Sequence, residues 1–375
     1  MTTDGEVARR VEAVRRKMKN GGLEALIIFS QVILGEKGAV RYISNYRLLT
    51  RKDYLVLPLS GDPMLVLPTL GQQMSALQAS WIRDIRYSGD TAGMIREVAE
   101  KIKTDIHENA AVGIVGFNGL PCQDIELLRK ELPGARFTDA SGLLNDVRAV
   151  KSPEEIEMIK ETTKIADACY DLLLEILRVG SDEREIMAEI NKLLTLKGVE
   201  DTLILTSKGR SFPCFIAPPG PYIFKDGDHY VFSIEIAGPG GYWSQIVRPF
   251  CLGKPSSQYE RLFEVGKQAL DAGLSNLLPG RRIGDIARII SSQAQSAGFR
   301  TGVWSGHGMG LDLGDGIGIF EDSTLELKDG MVITVHPHIM SQDGKEGLLL
   351  GDTYVVREKG VHNFSQTPCE LKCIR

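Results

Sequence analysis

At 375 residues the chain is long enough to bury two hydrophobic cores, and with 43% hydrophobic and 25% charged residues it has the composition of an ordinary soluble globular protein. A net charge of -5 argues against a dedicated nucleic-acid or membrane-surface binder, so neither nucleic acid nor membrane is expected as a partner. No apolar run approaches the roughly 20 residues of a membrane helix.

The first residues run straight into a charged amphipathic helix with no signal-peptide core, so a cytoplasmic protein is expected. Val7, Val11, Val14 and Met18 form the apolar face of that helix, and Asn20-Gly21-Gly22 stops it. Ala25 to Phe29 reads as a buried strand. After Ala39–Tyr46, two apolar runs from Tyr54 and Met64 flank Ser60-Gly-Asp-Pro63, a hairpin signal. Helical patterns at 91–106 and 123–132 alternate with a strand at 111–115. This describes an α/β domain over residues 1–148, with no catalytic constellation in it.

A second domain is expected over residues 149–375. Ser152 is an N-cap, Pro153 takes the first helical position and Glu155 closes a capping box. Ile156, Ile159, Ala166, Cys169, Leu173 and Ile176 supply the buried face of a long helix that ends at Gly180. A second helix starts at Ser181-Asp182 and stops at Gly198. Strands follow at 202–206, 230–237 and 242–252, helices at 259–277 and 283–298, and a closing strand at 348–356. Two helices and a hairpin, then two helices and further strand pairs, predict an internally duplicated α+β domain. Cys122, Cys169, Cys214, Cys251, Cys369 and Cys373 show no paired metal-type spacing, so reduced thiols are expected.

Several stretches follow one another in an order that resembles a known superfamily. They are Arg148-Ala-Val-Lys-Ser-Pro-Glu-Glu-Ile, Lys225-Asp-Gly-Asp-His-Tyr-Val-Phe, Gly306-His-Gly-Met-Gly-Leu-Asp, Leu327-Lys-Asp-Gly-Met-Val-Ile-Thr-Val-His-Pro and Gly351-Asp-Thr-Tyr-Val-Val. The chain resembles the creatinase, aminopeptidase P and prolidase superfamily along its whole length. The resemblance implies a creatinase-type N-terminal domain, a pita-bread C-terminal domain and a homodimer. It also implies, for the peptidases, two divalent metals held by two Asp, one His and two Glu around a shared water.

Carried over residue by residue, that ligand set is largely replaced. His307 matches the histidine ligand. The first Asp falls on Ile234 or Glu235, depending on one deletion in the hairpin turn, and in a strand those two side chains point to opposite faces. Gln245 stands for the second Asp, His336 for the first Glu and Gly351 for the second. Gly314 stands for a second family histidine, and the acid–base histidine of creatinase lines up near Ile216.

The resemblance to creatinase then implies a metal-independent hydrolase or lyase, without cofactor or metal, cleaving a C–N or related bond in a small polar nitrogenous substrate. His307 and His336 are its acid–base pair and Glu235 the third catalytic candidate. Gln245, Tyr242, Trp304 and His338 are substrate-binding candidates, His338 because strand periodicity lets it share a face with His336. Trp243 lines the pocket or the core. Asp312 and Asp315 orient an imidazole or form a turn, and Arg248 and Asp352 are structural. Two alternatives stay open: a catalytically inactive pita-bread protein that binds a ligand or partner, and a single-metal peptidase-like hydrolase using His307, His336 and Glu235.

Overall fold

The computed structural model describes residues 2–211, 216–302 and 304–374, so Cys214 lies outside the described residues. The chain divides into two units, Met1–Arg148 and Ala149–Arg375. Among the described residues no helix is long and apolar enough to cross a membrane.

The first unit opens with α1 (Asp4–Asn20), capped by the Thr3 side chain and burying Val7, Val11, Val14 and Met18 at helical spacing. There follow β1 (Ala25–Gln31), α2 (Gly38–Ser44), β2 (Lys52–Pro58), β3 (Met64–Leu67), α3 (Leu70–Ala79), β4 (Asp84–Tyr87), α4 (Thr91–Asp105), β5 (Ala111–Val115), α5 (Cys122–Glu131), β6 (Arg136–Asp139) and α6 (Ser141–Ala149). The strands form one sheet in the order β4-β3-β2-β1-β5-β6. The expected hairpin is the antiparallel pair β2/β3, with Tyr54 opposite Val66 and Gly61 in the turn at φ +94. On one face Ile27, Tyr54, Val56 and Ile114 pack against Ile95, Val98 and Ile102 of α4.

The second unit begins with α7 (Pro153–Ile176). Its capping box is complete: Glu155 N donates to Ser152 Oγ at 3.2 Å and Ser152 N donates to Glu155 Oε2 at 2.8 Å. The helix buries Ile159, Ala166, Cys169 and Leu173, whereas Ile156 and Ile176 stay partly exposed. Next come α8 (Glu183–Leu196), β7 (Asp201–Gly209), β8 (His229–Ala237), β9 (Trp243–Leu252), α9 (Ser257–Asn276) and α10 (Ile283–Ser296). The remaining strands are β10 (Arg300–Thr301), β11 (Gly306–Met309), β12 (Leu313–Gly318), β13 (Val332–Val335), β14 (His338–Met340), β15 (Gly347–Leu349), β16 (Gly351–Arg357), β17 (Gly360–Asn363) and β18 (Lys372–Ile374).

The main sheet runs β12-β11-β13-β16-β9-β8-β7, with β17 on β16 and β18 on β9. Two helix pairs cover it in turn. Leu173 and Ile190 of α7 and α8 join Phe232, Ile234, Ile236, Ile246 and Phe250 in one cluster. Leu262, Leu270, Ile286 and Ile290 of α9 and α10 join Ile333, Val335 and Tyr354 in another. This is the duplicated α+β, pita-bread arrangement. The expected closing strand is interrupted at Leu350, and β15 belongs to a separate small sheet, β10-β14-β15.

Candidate active site

Four strands of the main sheet place the candidate side chains. On β8 the apolar residues Phe232, Ile234 and Ile236 all enter the cluster under α7 and α8. Strand alternation then sends Ser233 and Glu235 to the other face. Glu235, not Ile234, is therefore the residue presented to the site. Directly opposite it on β9 is Gln245, whose Nε2 donates to Glu235 Oε1 at 2.9 Å and lies 3.2 Å from Ser233 Oγ.

His307 on β11 pairs in register with Thr334 of β13, and His336 immediately follows that strand. Backbone bonds fix this end of the strand, because His336 N donates to Ser305 O at 2.9 Å. The two imidazoles meet edge to face with ring centroids 5.2 Å apart. His307 Nε2 comes within 3.8 Å of Glu235 Oε2. His307 Nδ1 lies 3.1 Å from the Gly308 carbonyl oxygen. A carbonyl can only accept, so Nδ1 carries the proton and the Nε2 lone pair is left toward Glu235. Thr334 Oγ1 and Thr353 Oγ1 are 2.9 Å apart, and Gln245 N donates to Thr353 Oγ1 at 2.9 Å, which ties the strands together beneath the site.

Burial sets the protonation states. It raises the Glu235 carboxyl from its ordinary 4.5 to about 8, so Glu235 is the group that holds a proton at neutral pH. Burial lowers His307, partly offset by its bond to Gly308. His336 is pushed down to about 3 by burial first, then by the neighbouring imidazoles His307 and His338. At neutral pH both imidazoles are therefore neutral and the Glu235 carboxyl carries a proton.

Two polar atoms in this region, Gln245 Oε1 and His336 Nδ1, are buried without a hydrogen-bond partner. At the rim, Trp304 is 47% exposed. Its ring centroid lies 5.4 Å from that of His307 and 6.4 Å from that of His336, and it stacks on Phe320 at 5.9 Å.

The structure thus brings His307, His336, Glu235, Gln245 and Trp304 together. Tyr242 is buried and donates its hydroxyl to Glu155 Oε1 at 2.8 Å, at the α7 capping box. Trp243 is likewise a core residue. His338 sits half-buried on β14 in the small sheet, against Gly302. Asp315 forms a buried ion pair with Lys151 at 2.7 Å. Ser233, Thr353 and Phe320 were not foreseen. Ser233 lies two residues before Glu235 on the same strand face, a signal available to period-two reasoning, whereas nothing in the sequence marks Phe320.

Gly351 bears on the geometry through what it lacks. A β-carbon there would collide with the Val335 carbonyl oxygen and stand 2.7 Å from His336 Cα and 2.9 Å from His336 Cβ. The backbone of β16 is seated against His336, and no side chain fits between.

Residues 157–358 match the model of metallopeptidase family M24, and residues 10–150 match the Creatinase/Prolidase N-terminal domain. The chain is 27% identical over 392 aligned positions to an uncharacterized hydrolase/peptidase of Sinorhizobium fredii, covering 98% of this chain and 96% of the relative. It is 27% identical over 413 positions to the ectoine hydrolase of Halomonas elongata, covering 98% and 97%. Among solved structures, an Xaa-Pro dipeptidase from Bacillus anthracis superimposes with a TM-score of 0.84 at 21% identity, over 98% of this chain and 100% of that one.

A pair of divalent cations, as the superfamily's peptidases hold, calls for several carboxylate oxygens to offset its charge. The donors gathered here do not fit that demand. Among the described residues Glu235 is the one carboxylate within 4 Å of the paired imidazoles, Gln245 turns an amide N–H toward it, and position 351 has neither a side chain nor room for one. The alternative of one metal on His307, His336 and Glu235 meets a similar obstacle. Among the described residues no group of three or more His, Cys, Asp or Glu could hold an ion.

Proposed function

This chain belongs to metallopeptidase family M24, and we propose that it is a hydrolase cleaving a C–N bond in a small polar nitrogenous molecule with its own side chains as acid and base. The observation that carries the reading is the 3.8 Å approach of His307 Nε2 to Glu235 Oε2 in a buried site. One group is a free base and its neighbour a protonated acid at neutral pH. The Halomonas relative, named for hydrolysis of ectoine, lends support to a small-molecule substrate, beside relatives named as Xaa-Pro dipeptidases.

The roles differ from an acid–base pair of two histidines. His307 Nε2 takes a proton from water as the oxygen attacks the carbon. Glu235 gives its proton to the departing nitrogen as the C–N bond breaks. The proton on His307 then returns to Glu235 across the short gap between them, which restores both groups. His336 stays neutral and acts as a wall and hydrogen-bonding partner for the substrate, together with Gln245 Oε1. Trp304 and Phe320 form the apolar rim.

The test is a product-detected screen of guanidino, cyclic amidine, amide and dipeptide compounds, with protein purified without chelator and analysed for metal. Turnover with well under one equivalent of transition metal is expected. Glu235→Gln and His307→Ala should each lose on the order of a hundredfold or more in kcat. A stoichiometric metal required for turnover, or full activity in both variants, overturns the proposal. A properly folded chain inactive on every class favours the ligand-binding alternative.

A further inference from the structure

Residues 364–371 lie beyond the stretch matched to the M24 family, yet they reach the strands that carry the site. Asp167 on α7 anchors them. Its carboxylate accepts from Ser365 Oγ at 2.6 Å, Gln366 N at 3.0 Å, Thr367 Oγ1 at 2.6 Å and Thr367 N at 3.3 Å. Held this way, the segment turns two carbonyls onto the guanidinium of Arg248, which is fully buried on β9. Arg248 Nε donates to Pro368 O at 2.9 Å and Nη2 to Thr367 O at 2.7 Å.

The other N–H groups of Arg248 point into the sheet. Nη1 donates to Val247 O at 2.9 Å and to Gly351 O at 3.0 Å, and Nη2 donates to Asp352 Oδ1 at 2.6 Å. A guanidinium has five N–H donors in a rigid planar fork. Here all five have an acceptor: three lie on β9 and β16, and the C-terminal segment offers Pro368 O, Thr367 O and, at 3.5 Å, Ser365 Oγ. One of those acceptors belongs to Gly351, whose backbone is seated against His336 with no room for a side chain. Asp352, the next residue, pairs in register with Val335 and with Ile246.

We propose that Arg248, clamped by the Asp167-held segment Ser365–Pro368, is a positioning residue for His336. It sets the height of β16 beneath that imidazole, so the C-terminal segment is a working part of the site. The inference rests on His336 belonging to the site, but not on the site turning over a substrate. Lysine cannot replace the fork: it has three donors on one rotating nitrogen and leaves buried carbonyls unpaired.

The test reads the imidazole resonances of the full-length chain by NMR, each of its six histidines assigned by a His→Gln variant. Arg248→Lys is expected to displace the His336 signals clearly and those of His307 less, with His107 in the N-terminal unit unmoved. Asp167→Asn, a milder change at the far end of the brace, should displace His336 in the same direction and covers the case in which Arg248→Lys does not fold. Ile190→Val, in the cluster under α7 and α8, supplies a control that lowers Tm without moving His336. If the brace variants lower Tm as the control does and leave His336 at its wild-type position, Arg248 is structural only and the proposal is overturned. Because the readout needs no turnover, it stands or falls separately from the hydrolase reading. With an active substrate in hand, Arg248→Lys should reduce kcat/KM roughly tenfold to a hundredfold, with KM rising because His336 is a substrate contact.

Discussion

Replacing Glu235 by Gln should reverse its sign of importance between stability and catalysis, and the size of the stability effect follows from burial. In the folded chain the carboxyl is held at about 8, against 4.5 ordinarily. Below about pH 4 both folded and unfolded chains carry the proton, and Glu235 costs nothing. Between the two values the unfolded chain ionises while the folded one does not, so native stability falls as pH rises, by ~1.4 kcal/mol per pH unit. Above the folded value the loss levels off, at a ceiling on the order of 4–5 kcal/mol.

Glutamine is neutral at every pH and keeps the shape. Glu235→Gln should therefore match the wild type near pH 4 and become progressively more stable than it up to about pH 8. Urea unfolding of both proteins at several pH values measures the difference, in which every other titrating group cancels. If the difference is independent of pH, Glu235 ionises freely in the folded chain and cannot be the acid of the proposed reaction.

His336 should show the opposite slope in a separate window. Its folded value near 3 lies below the ordinary 6.5, so the stability it allows is present above about pH 6.5 and is lost as pH falls toward 3. His336→Gln should thus gain on the wild type by on the order of 2–3 kcal/mol at about pH 4.5 and by little at pH 7, again by urea unfolding. Ser152→Ala removes the oxygen that accepts from Glu155 N and should cost about 1 kcal/mol of stability, read from the denaturant midpoint.

Much of the fold was legible because local chemistry and packing agree. Ser152, Pro153 and Glu155 announce the start of α7, and Gly61 stands in the turn of the β2/β3 hairpin. The helix α3 escaped notice because its apolar residues Leu70, Met74 and Leu77 are exposed, so the usual inward stripe is absent. The choice between Ile234 and Glu235 stayed open because it turned on one deletion in the hairpin turn, although the alternation in Phe232-Ser-Ile-Glu-Ile favours Glu235. The company Ile234 keeps, among Phe232, Ile246 and Phe250, settles the face. Tyr242 misled for want of its partner: Glu155 lies 87 positions away in the chain. Protonation states were also out of reach, since they follow from depth of burial and not from residue type.

Gly351 has a consequence for the routes by which this site can change. Introducing a glutamate there by a single substitution meets the Val335 carbonyl and the His336 backbone before any metal could reward it. The strand would first have to draw back from His336, and the Arg248 bonds to Gly351 O and Asp352 Oδ1 oppose that movement. A path from this site to a carboxylate-rich one therefore passes through a less stable intermediate, and selection acting one residue at a time meets a barrier at the first step. An engineer seeking to install metal chemistry here should move position 336, position 351 and the C-terminal clasp in one design.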